Sequence, residues 1–217
     1  MNNQIIIIGA GGHGLVVASE ILRNKSLKLL GFVDDNKVKK NLISYKKINY
    51  KVLGTLDYLK KINLKKIKFV CAIGDIRVRK TIVNQLNKKF KQIQWVNVIS
   101  ENANISPLVK IGLGNMIIAG STINIGSILG NHSIINTNAS IDHHCKIGNF
   151  INISPGTNIA GNVTIKDYTN VGMNCAIKEK LKIGRNVMIG ANSFVNKNCD
   201  DYFNYIGSPI KKYEKKT

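Results

Sequence analysis

Four consecutive residues in the second half of the chain, Asp142-His143-His144-Cys145, have the side chains best suited to chemistry. Imidazole titrates near neutral pH, so a histidine here can accept a proton from an amine or a hydroxyl group. A carboxylate beside such a ring can orient it and raise its basicity, and Asp142 is the adjacent acid. We therefore predict His143 as a general base, with Asp142 and His144 as neighbouring catalytic residues.

Other chemistry is less well supported at this cluster. A metal ion at His143 and His144 would lack a third ligand, and consecutive strand residues diverge, so no metal is predicted. His132 has no acidic neighbour and is expected to be an ordinary surface residue. A plain surface role is also common for any single exposed histidine, and that alternative stays open for His143.

These residues lie within an unbroken run of hexapeptide repeats. Because six is an even number, the same side of a strand faces inward at every repeat, and three hexads close one rung of eighteen residues. The pattern predicts a left-handed parallel β-helix over residues 101–200. The repeated apolar positions are Ile105, Ile111, Ile117, Ile123, Leu129, Ile135, Ile141, Ile147, Ile153, Ile159, Ile165, Val171, Ile177, Ile183, Ile189 and Val195.

A second inward position lies four residues after the first and carries small or β-branched side chains in most hexads. Three of the four cysteines, Cys145, Cys175 and Cys199, fall at this position, and no CxxC or zinc-type spacing is present. We predict that they are reduced core residues of a cytoplasmic protein. An inward Cys145 is a poor candidate for a nucleophile.

Steps of eighteen residues show which side chains stack on successive rungs. Gly161 follows His143 by one rung, which predicts an open space above the imidazole. Pro155, Met173 and Ala191 form a separate column, whose small and apolar side chains suit an extended ligand arm such as pantetheine. The tail, residues 201–217, either meets the phosphates of that ligand through its basic residues or only caps the coil.

The N-terminal residues 1–100 read as a Rossmann-like α/β domain. A buried strand runs into G-x-G-x-x-G at Gly9, Gly11 and Gly14, and Asp34-Asp35 follows the next strand, as in dinucleotide-binding turns. Gly74 ends a further strand at the same sheet edge. The predicted elements are strands at 5–8, 29–33, 68–73 and 94–98 and helices at 15–24 and 76–90.

Two functions compete for this domain. It could belong to an NAD-dependent oxidoreductase, or to a binding module beside a structural β-helix. It could instead hold a nucleotide-linked sugar. Only about 100 residues precede the hexads, too few for a full dinucleotide fold with a catalytic domain, so we favour the sugar nucleotide. A loop that only packs helix against strand remains the structural alternative.

The formal net charge of +20 is the remaining feature of composition to explain. The lysines are scattered and accompany no nucleic-acid recognition motif, so attraction for anionic small ligands is the better explanation. The sequence shows no transmembrane-length apolar run and no secretion signal, so no membrane partner is expected.

The chain resembles bacterial sugar acyltransferases of the sialic acid O-acetyltransferase NeuD type, which include acetyl-CoA-dependent UDP-4-amino-sugar N-acetyltransferases. The glycine-loop domain together with the His-Cys hexad makes this resemblance specific. The matching stretches are Ile8–Gly14, Phe32–Asp35, Ala72–Asp75, Ile141–Gly148, Ile151–Val163 and Gly207–Pro209.

The resemblance implies a homotrimer with active sites between adjacent coils, and it implies roles for individual residues. His143 matches the general base. Relatives usually have Glu or Asp where this chain has His144, and often His where it has Asn152. The positions that meet acetyl-CoA are Asn152, Gly161, Met173 and Ala191, and those that meet the nucleotide-sugar are Gly11, Gly12, His13, Asp34, Asp35 and Gly74.

The predicted function is therefore transfer of an acetyl group from acetyl-CoA to the 4-amino group of a nucleotide-linked, UDP-type amino-deoxy sugar in surface glycan biosynthesis. O-acetylation of sialic acid or of another sugar hydroxyl is the first alternative. An NAD-binding oxidoreductase or binding module with a structural β-helix is the second.

Overall fold

A computed structural model describes residues 3–36 and 41–213. Residues 1–101 form one compact unit and residues 102–217 a second. The last four residues of the tail that the sequence defines at 201–217 lie outside the described residues.

The N-terminal unit contains a six-stranded sheet in the order β3-β4-β2-β1-β5-β6. Strand β1 is central because its four isoleucines are buried on both sides, as in a parallel α/β sheet. The elements are β1 (Gln4–Ile8), α1 (Gly12–Arg23), β2 (Lys28–Val33), β3 (Asn41–Tyr45), β4 (Ile48–Gly54), 3-10 helices (Leu56–Lys61 and Leu64–Lys66), β5 (Lys68–Cys71), α2 (Ile76–Lys89), β6 (Gln94–Trp95) and β7 (Val98–Ile99).

Both predicted helices are confirmed, with changes at their ends. Helix α1 begins at Gly12 rather than Leu15, because the glycine loop itself forms the first turn after Gly11. The strand predicted at 94–98 is wrong in extent, since it is interrupted between Trp95 and Val98.

The hairpin of β3 and β4 was not predicted from the sequence. The two strands are antiparallel, and their turn is Lys46-Lys47, with φ of 48° and 65°. Glycine or asparagine usually marks such a turn, because they adopt positive φ at little cost. Two lysines at these positions hide the signal.

The second unit is the predicted coil of short parallel strands, and it ends in one antiparallel strand formed by Lys211–Tyr213 of the tail. Strands pair with those eighteen residues away, as Ile117 does with Ile135 and Ile135 with Ile153. The sheets run β8-β11-β14-β17-β20-β23, β9-β12-β15-β18-β21 and β10-β13-β16-β19-β22-β24-β25. The repeated apolar residues are buried from Ile117 to Val195 and form the core of the coil.

Each coil strand is two or three residues long. The strands are β8 (Asn104–Ile105), β9 (Lys110–Ile111), β10 (Met116–Ile117), β11 (Thr122–Ile123), β12 (Ile128–Leu129), β13 (Ile134–Ile135), β14 (Ser140–Ile141), β15 (Lys146–Ile147), β16 (Asn152–Ile153), β17 (Asn158–Ile159), β18 (Thr164–Ile165), β19 (Asn170–Val171), β20 (Ala176–Ile177), β21 (Lys182–Ile183), β22 (Met188–Ile189), β23 (Phe194–Val195), β24 (Asn204–Ile206) and β25 (Lys211–Tyr213).

The second inward position is also buried at the three cysteines predicted to occupy it, Cys145, Cys175 and Cys199. Cys71, Cys145, Cys175 and Cys199 are free and buried. Burial raises the pKa of the Cys145 thiol. A neutral, inward thiol is a poor nucleophile.

Candidate active site

His143 and His144 form an exposed corner of the coil between β14 and β15. His144 has a φ of 58°, and its amide donates to the Ile125 carbonyl on the rung below, at 3.0 Å. The amide of Asn162, on the rung above, donates to the His143 carbonyl at 2.9 Å. The backbone of both histidines is therefore fixed by neighbouring rungs.

The side-chain partner of the His143 ring is His144. Their Nδ1 atoms lie 3.0 Å apart, and the two rings meet edge to face at 78°. The Asp142 carboxylate instead accepts the His143 amide at 2.8 Å and the Asn124 side-chain amide at 2.9 Å. These bonds, that of Asn124 first, lower the pKa of Asp142 and keep it ionised.

Gly161 leaves room for the His143 ring, and the ring itself fills that room. A Cβ atom added to Gly161 would lie 2.5 Å from Cε1 and 2.6 Å from Nε2 of His143. The sequence predicts an open space above the imidazole of His143, but in the structure the ring itself occupies this space. Gly126 does the same for His144, because an added Cβ would lie 2.7 Å from its Cδ2 atom.

The four residues expected to meet acetyl-CoA lie on different parts of the coil within one chain. They are Asn152, Gly161, Met173 and Ala191. Pro155, Met173 and Ala191 stack on the corner between the sheets of β19 and β20, where amide–carbonyl bonds link successive rungs. Met173 is 57% exposed. Asn152 lies in β16, paired with Asn170 of β19. Gly161 is the member of this set that lies against the His143 ring.

The N-terminal unit contains a cavity of about 460 Å³ at the carboxyl ends of β1, β2 and β5. In open α/β sheets, ligands bind at this end of the strands. The structure brings together here every residue that the resemblance assigns to the nucleotide-sugar. Those lining residues are Gly11, Gly12, His13, Asp34, Asp35 and Gly74.

The glycines of the loop divide into two kinds. A side chain at Gly14 would collide with the Gly9 carbonyl, so this glycine lets α1 pack against the loop. A Cβ atom at Gly11, Gly12 or Gly74 would meet nothing within 4 Å, because these glycines face open space. The loop therefore packs helix against strand and also leaves backbone exposed at a helix N-terminus, where anions bind.

Asp34 and Asp35 hold the walls of this cavity. The Asp34 carboxylate accepts the Ala10 amide of the glycine loop at 2.7 Å and the Asn36 amide at 2.8 Å. Asp35 accepts the amide of Leu56 at 2.8 Å. Their contact with a nucleoside remains a prediction.

Arg79 does not line this cavity but supports two residues that do, and sequence reasoning missed it. Its side chain is fully buried, and Nη1 donates to the carbonyls of Ile73 at 2.5 Å and Gly74 at 3.1 Å. Burial lowers its pKa to about 10, so the guanidinium remains charged at neutral pH. An arginine at an apolar-stripe position of α2, between Ile76 and Val83, is the signal that could have revealed it.

His13 lies in the same cavity and stays neutral. Burial first, and then the positive charge of Arg79, lower the pKa of His13 to about 4. Its Nε2 atom is buried without a hydrogen-bond partner among residues 3–36 and 41–213. A ligand with a hydroxyl or phosphate group could satisfy it.

The expectation for His132 is wrong. Its side chain is buried, with 6% exposed, and it stacks on Phe150 at 5.2 Å. Phe150 lies one rung above it and Tyr168 two rungs above, so aromatic rings cover this corner.

Within the described residues, no cluster of three or more His, Cys, Asp or Glu side chains could hold a metal ion. In that same part of the chain, no helix is long and apolar enough to cross a membrane.

Comparison by sequence identifies the N-terminal unit. Residues 4–86 match the family model of the PglD N-terminal domain. The uncharacterized protein L142 of Acanthamoeba polyphaga mimivirus is 32% identical over 113 residues, which is 52% of this chain. The chain spans about a fifth of the length of that curated relative, 21%.

Comparison by structure covers both units. The acetyltransferase domain of PglB from Neisseria gonorrhoeae FA1090 is 27% identical, with a TM-score of 0.86 over 98% of this chain and 100% of that one. PerB from Caulobacter crescentus, in complex with CoA and GDP-perosamine, is 28% identical, with a TM-score of 0.87 over 97% of each chain. WeeI from Acinetobacter baumannii AYE is 25% identical, with a TM-score of 0.82 over 96% and 99%.

These similarities extend over nearly the whole chain, and the coil accordingly has the left-handed β-helix fold of those proteins. Residues 4–86 therefore match the PglD N-terminal domain, and nearly the whole chain is similar in structure to the acetyltransferase domain of PglB and to PerB.

Proposed function

We propose that this protein transfers an acetyl group from acetyl-CoA to the 4-amino group of a nucleotide-linked amino-deoxy sugar in surface glycan biosynthesis. The proposal is carried by the presence of two features in one chain. One is the glycine-loop cavity, and the other is the exposed imidazole of His143, which lies against Gly161 on the β-helix. Structures of similar proteins contain acetyl coenzyme A, or CoA with GDP-perosamine.

The N-terminal cavity is the proposed nucleotide-sugar site. The open glycines and the N-terminus of α1 favour phosphate groups, and buried Arg79 adds positive potential beneath them. His13, neutral at physiological pH, offers an imidazole nitrogen to the ligand. Asp34 and Asp35 order the walls and face the nucleoside.

His143 is the proposed base. Its Nε2 takes a proton from the attacking amine while the amine nitrogen forms a bond to the carbonyl carbon of the thioester. The carbon–sulfur bond then breaks, and the CoA thiolate leaves and recovers the proton. Backbone amides and Asn152 are proposed to stabilise the oxyanion, and Gly161, Met173 and Ala191 to contact acetyl-CoA.

We further propose that the protein is a cytoplasmic homotrimer. The separation of His143, Asn152 and Met173 on different parts of one coil supports this, because neighbouring coils can complete one another's sites. The four free, buried cysteines support the cytoplasmic location, because thiols stay reduced in that compartment. Sedimentation equilibrium measures the oligomeric state directly.

The decisive experiment incubates the protein with acetyl-CoA and a panel of UDP-, GDP- and dTDP-linked 4-amino sugars, with the matching 4-hydroxy sugars as controls. Thiol release reports turnover, and mass spectrometry identifies the acetylated product. Turnover of the hydroxy sugars alone would point to O-acetylation. Tight NAD binding without any response to acetyl-CoA would overturn the proposal.

The base is tested by His143→Ala. Loss of a general base costs about 10²–10⁴-fold in rate, so kcat falls by that factor while CoA and nucleotide still bind by calorimetry. Full acetyl transfer by a correctly assembled His143→Ala protein would exclude this role.

A further inference from the structure

We propose that His144 is a positioning residue, which holds the His143 ring in the tautomer that leaves Nε2 free as the base. The inference rests on the proposed function for its catalytic consequence. The arrangement of the two rings rests only on the structure.

The argument begins with the contact between the rings. The two Nδ1 atoms are 3.0 Å apart, which is a hydrogen-bond distance. A neutral imidazole has one N–H, and the pair can place only one proton between these two nitrogens. If His143 donates, its Nδ1 carries the proton and its Nε2 carries a lone pair. That nitrogen is the one beside Gly161.

His144 is itself held in place, so it can orient its neighbour. Its ring lies over Gly126, where an added Cβ would be 2.7 Å from Cδ2 and 3.0 Å from Nε2. Its backbone is in the left-handed region and its amide is bonded to Ile125 on the rung below. Both the ring and the backbone of His144 are therefore constrained.

Asp142 does not perform this task. Its Oδ1 atom accepts from the His143 backbone amide and from Asn124, which orients the corner rather than the ring. An imidazole acceptor orients His143 without adding a negative charge. When Nε2 takes the amine proton, the Nδ1–H of His143 stays bonded to Nδ1 of His144.

The side chain of asparagine provides a specific test. Asparagine can place a polar atom near the position of Nδ1 and tolerates positive φ, whereas glutamine reaches the position of Nε2. We expect His144→Ala and His144→Gln to lower kcat by about 10- to 100-fold, as loss of a residue that orients a histidine does elsewhere, with little change in KM. His144→Asn should restore most of the rate.

Lys180→Ala is the matched control. Lys180 lies two rungs above His144 in the same column, is exposed and has a similar φ of 63°. Its replacement should leave kcat unchanged. Equal losses in the asparagine and glutamine variants, or full activity in His144→Ala, would overturn the proposal.

A second measurement does not depend on activity. Nitrogen-15 NMR of the histidine rings in the whole protein distinguishes the two neutral tautomers. We expect the Nδ1–H form for His143 in the wild type and a mixture in His144→Ala. A wild-type Nε2–H form contradicts the positioning role. The Nδ1–H form in a protein that transfers no acetyl group would support the arrangement and refute the proposed function.

Discussion

At the scale of single residues, the proposed active site is built from two pairs, each formed by a histidine ring and a glycine. His143 lies against Gly161 and His144 against Gly126, on opposite sides of one corner. In each pair, the missing side chain of the glycine provides the volume that the ring fills. We therefore expect an added methyl group to move the proposed catalytic ring without unfolding the coil.

Gly161→Ala is expected to lower kcat by about 10²-fold, because a displacement of about 1 Å at a reacting group can cost that much. The free energy of unfolding should change by less than about 1 kcal/mol, since the exposed His143 ring can turn outward. Steady-state kinetics and urea unfolding measure the two effects. If the loss arises through the ring, adding Gly161→Ala to His143→Ala should have no further effect.

His13 makes stability depend on pH. Its pKa falls from 6.5 to about 4 in the folded protein, so below pH 6.5 the unfolded chain binds a proton that the folded one does not. The free energy of unfolding should therefore decrease as pH falls from 6.5 towards 4, by at most about 1.4 kcal/mol per pH unit.

Urea unfolding of the wild type and of His13→Gln at pH 7 and pH 5 checks this expectation. Glutamine keeps a polar side chain but does not titrate, so its variant should lose less stability over this interval. An identical pH dependence in both proteins would show that other groups are responsible.

At the scale of elements, the glycine loop and α1 act as one unit. Gly14 allows the first turn of α1 to approach the Gly9 carbonyl, and Asp34 binds the loop from the end of β2. Gly12, on the same turn, faces open space. The close approach and the open cavity are thus made by different glycines of one motif.

Two alanine substitutions separate these roles. Gly14→Ala should destabilise the protein by about 1–3 kcal/mol or more, because the new Cβ meets backbone that cannot move aside. Gly12→Ala is the matched control, and it should leave stability unchanged or raise it by up to about 1 kcal/mol. Thermal unfolding measures the stability of both variants. Equal losses of stability in Gly14→Ala and Gly12→Ala would contradict this account.

At the scale of the whole molecule, positive charge is unevenly shared along the chain. Twenty of the thirty-two Lys and Arg residues and six of the twelve Asp and Glu residues lie within residues 1–101. The proposed nucleotide site is in this segment. A field of one sign raises the local concentration of anionic ligands and speeds their capture.

Salt should therefore raise KM for the nucleotide-sugar and for acetyl-CoA by about threefold or more between about 0.05 M and 0.5 M NaCl, with little effect on kcat. A neutral acetyl-pantetheine donor lacks the phosphates and is the matched control. If its KM increases as much as that of acetyl-CoA, general charge attraction is not the cause.

The sequence alone determined the β-helix, its eighteen-residue rung, the placement of Gly161 beside His143 and the buried cysteines. These follow from a short repeat, because each rung contacts only its neighbours and a count along the chain gives the contact. The strand–glycine–helix order similarly predicted the N-terminal sheet. The β3–β4 hairpin could not be predicted, because its turn residues Lys46 and Lys47 have positive φ, which lysine rarely adopts.

Only the tertiary structure decided which side chain contacts the His143 ring, that His132 is buried, and that Arg79 bonds to the carbonyls of Ile73 and Gly74 at the cavity. Asp142 and His144 are equally close to His143 along the chain, and the choice between them depends on ring rotamers and on Asn124 one rung away. Such choices depend on directions of side chains from separate rungs or helices. A linear spacing contains no information about those directions.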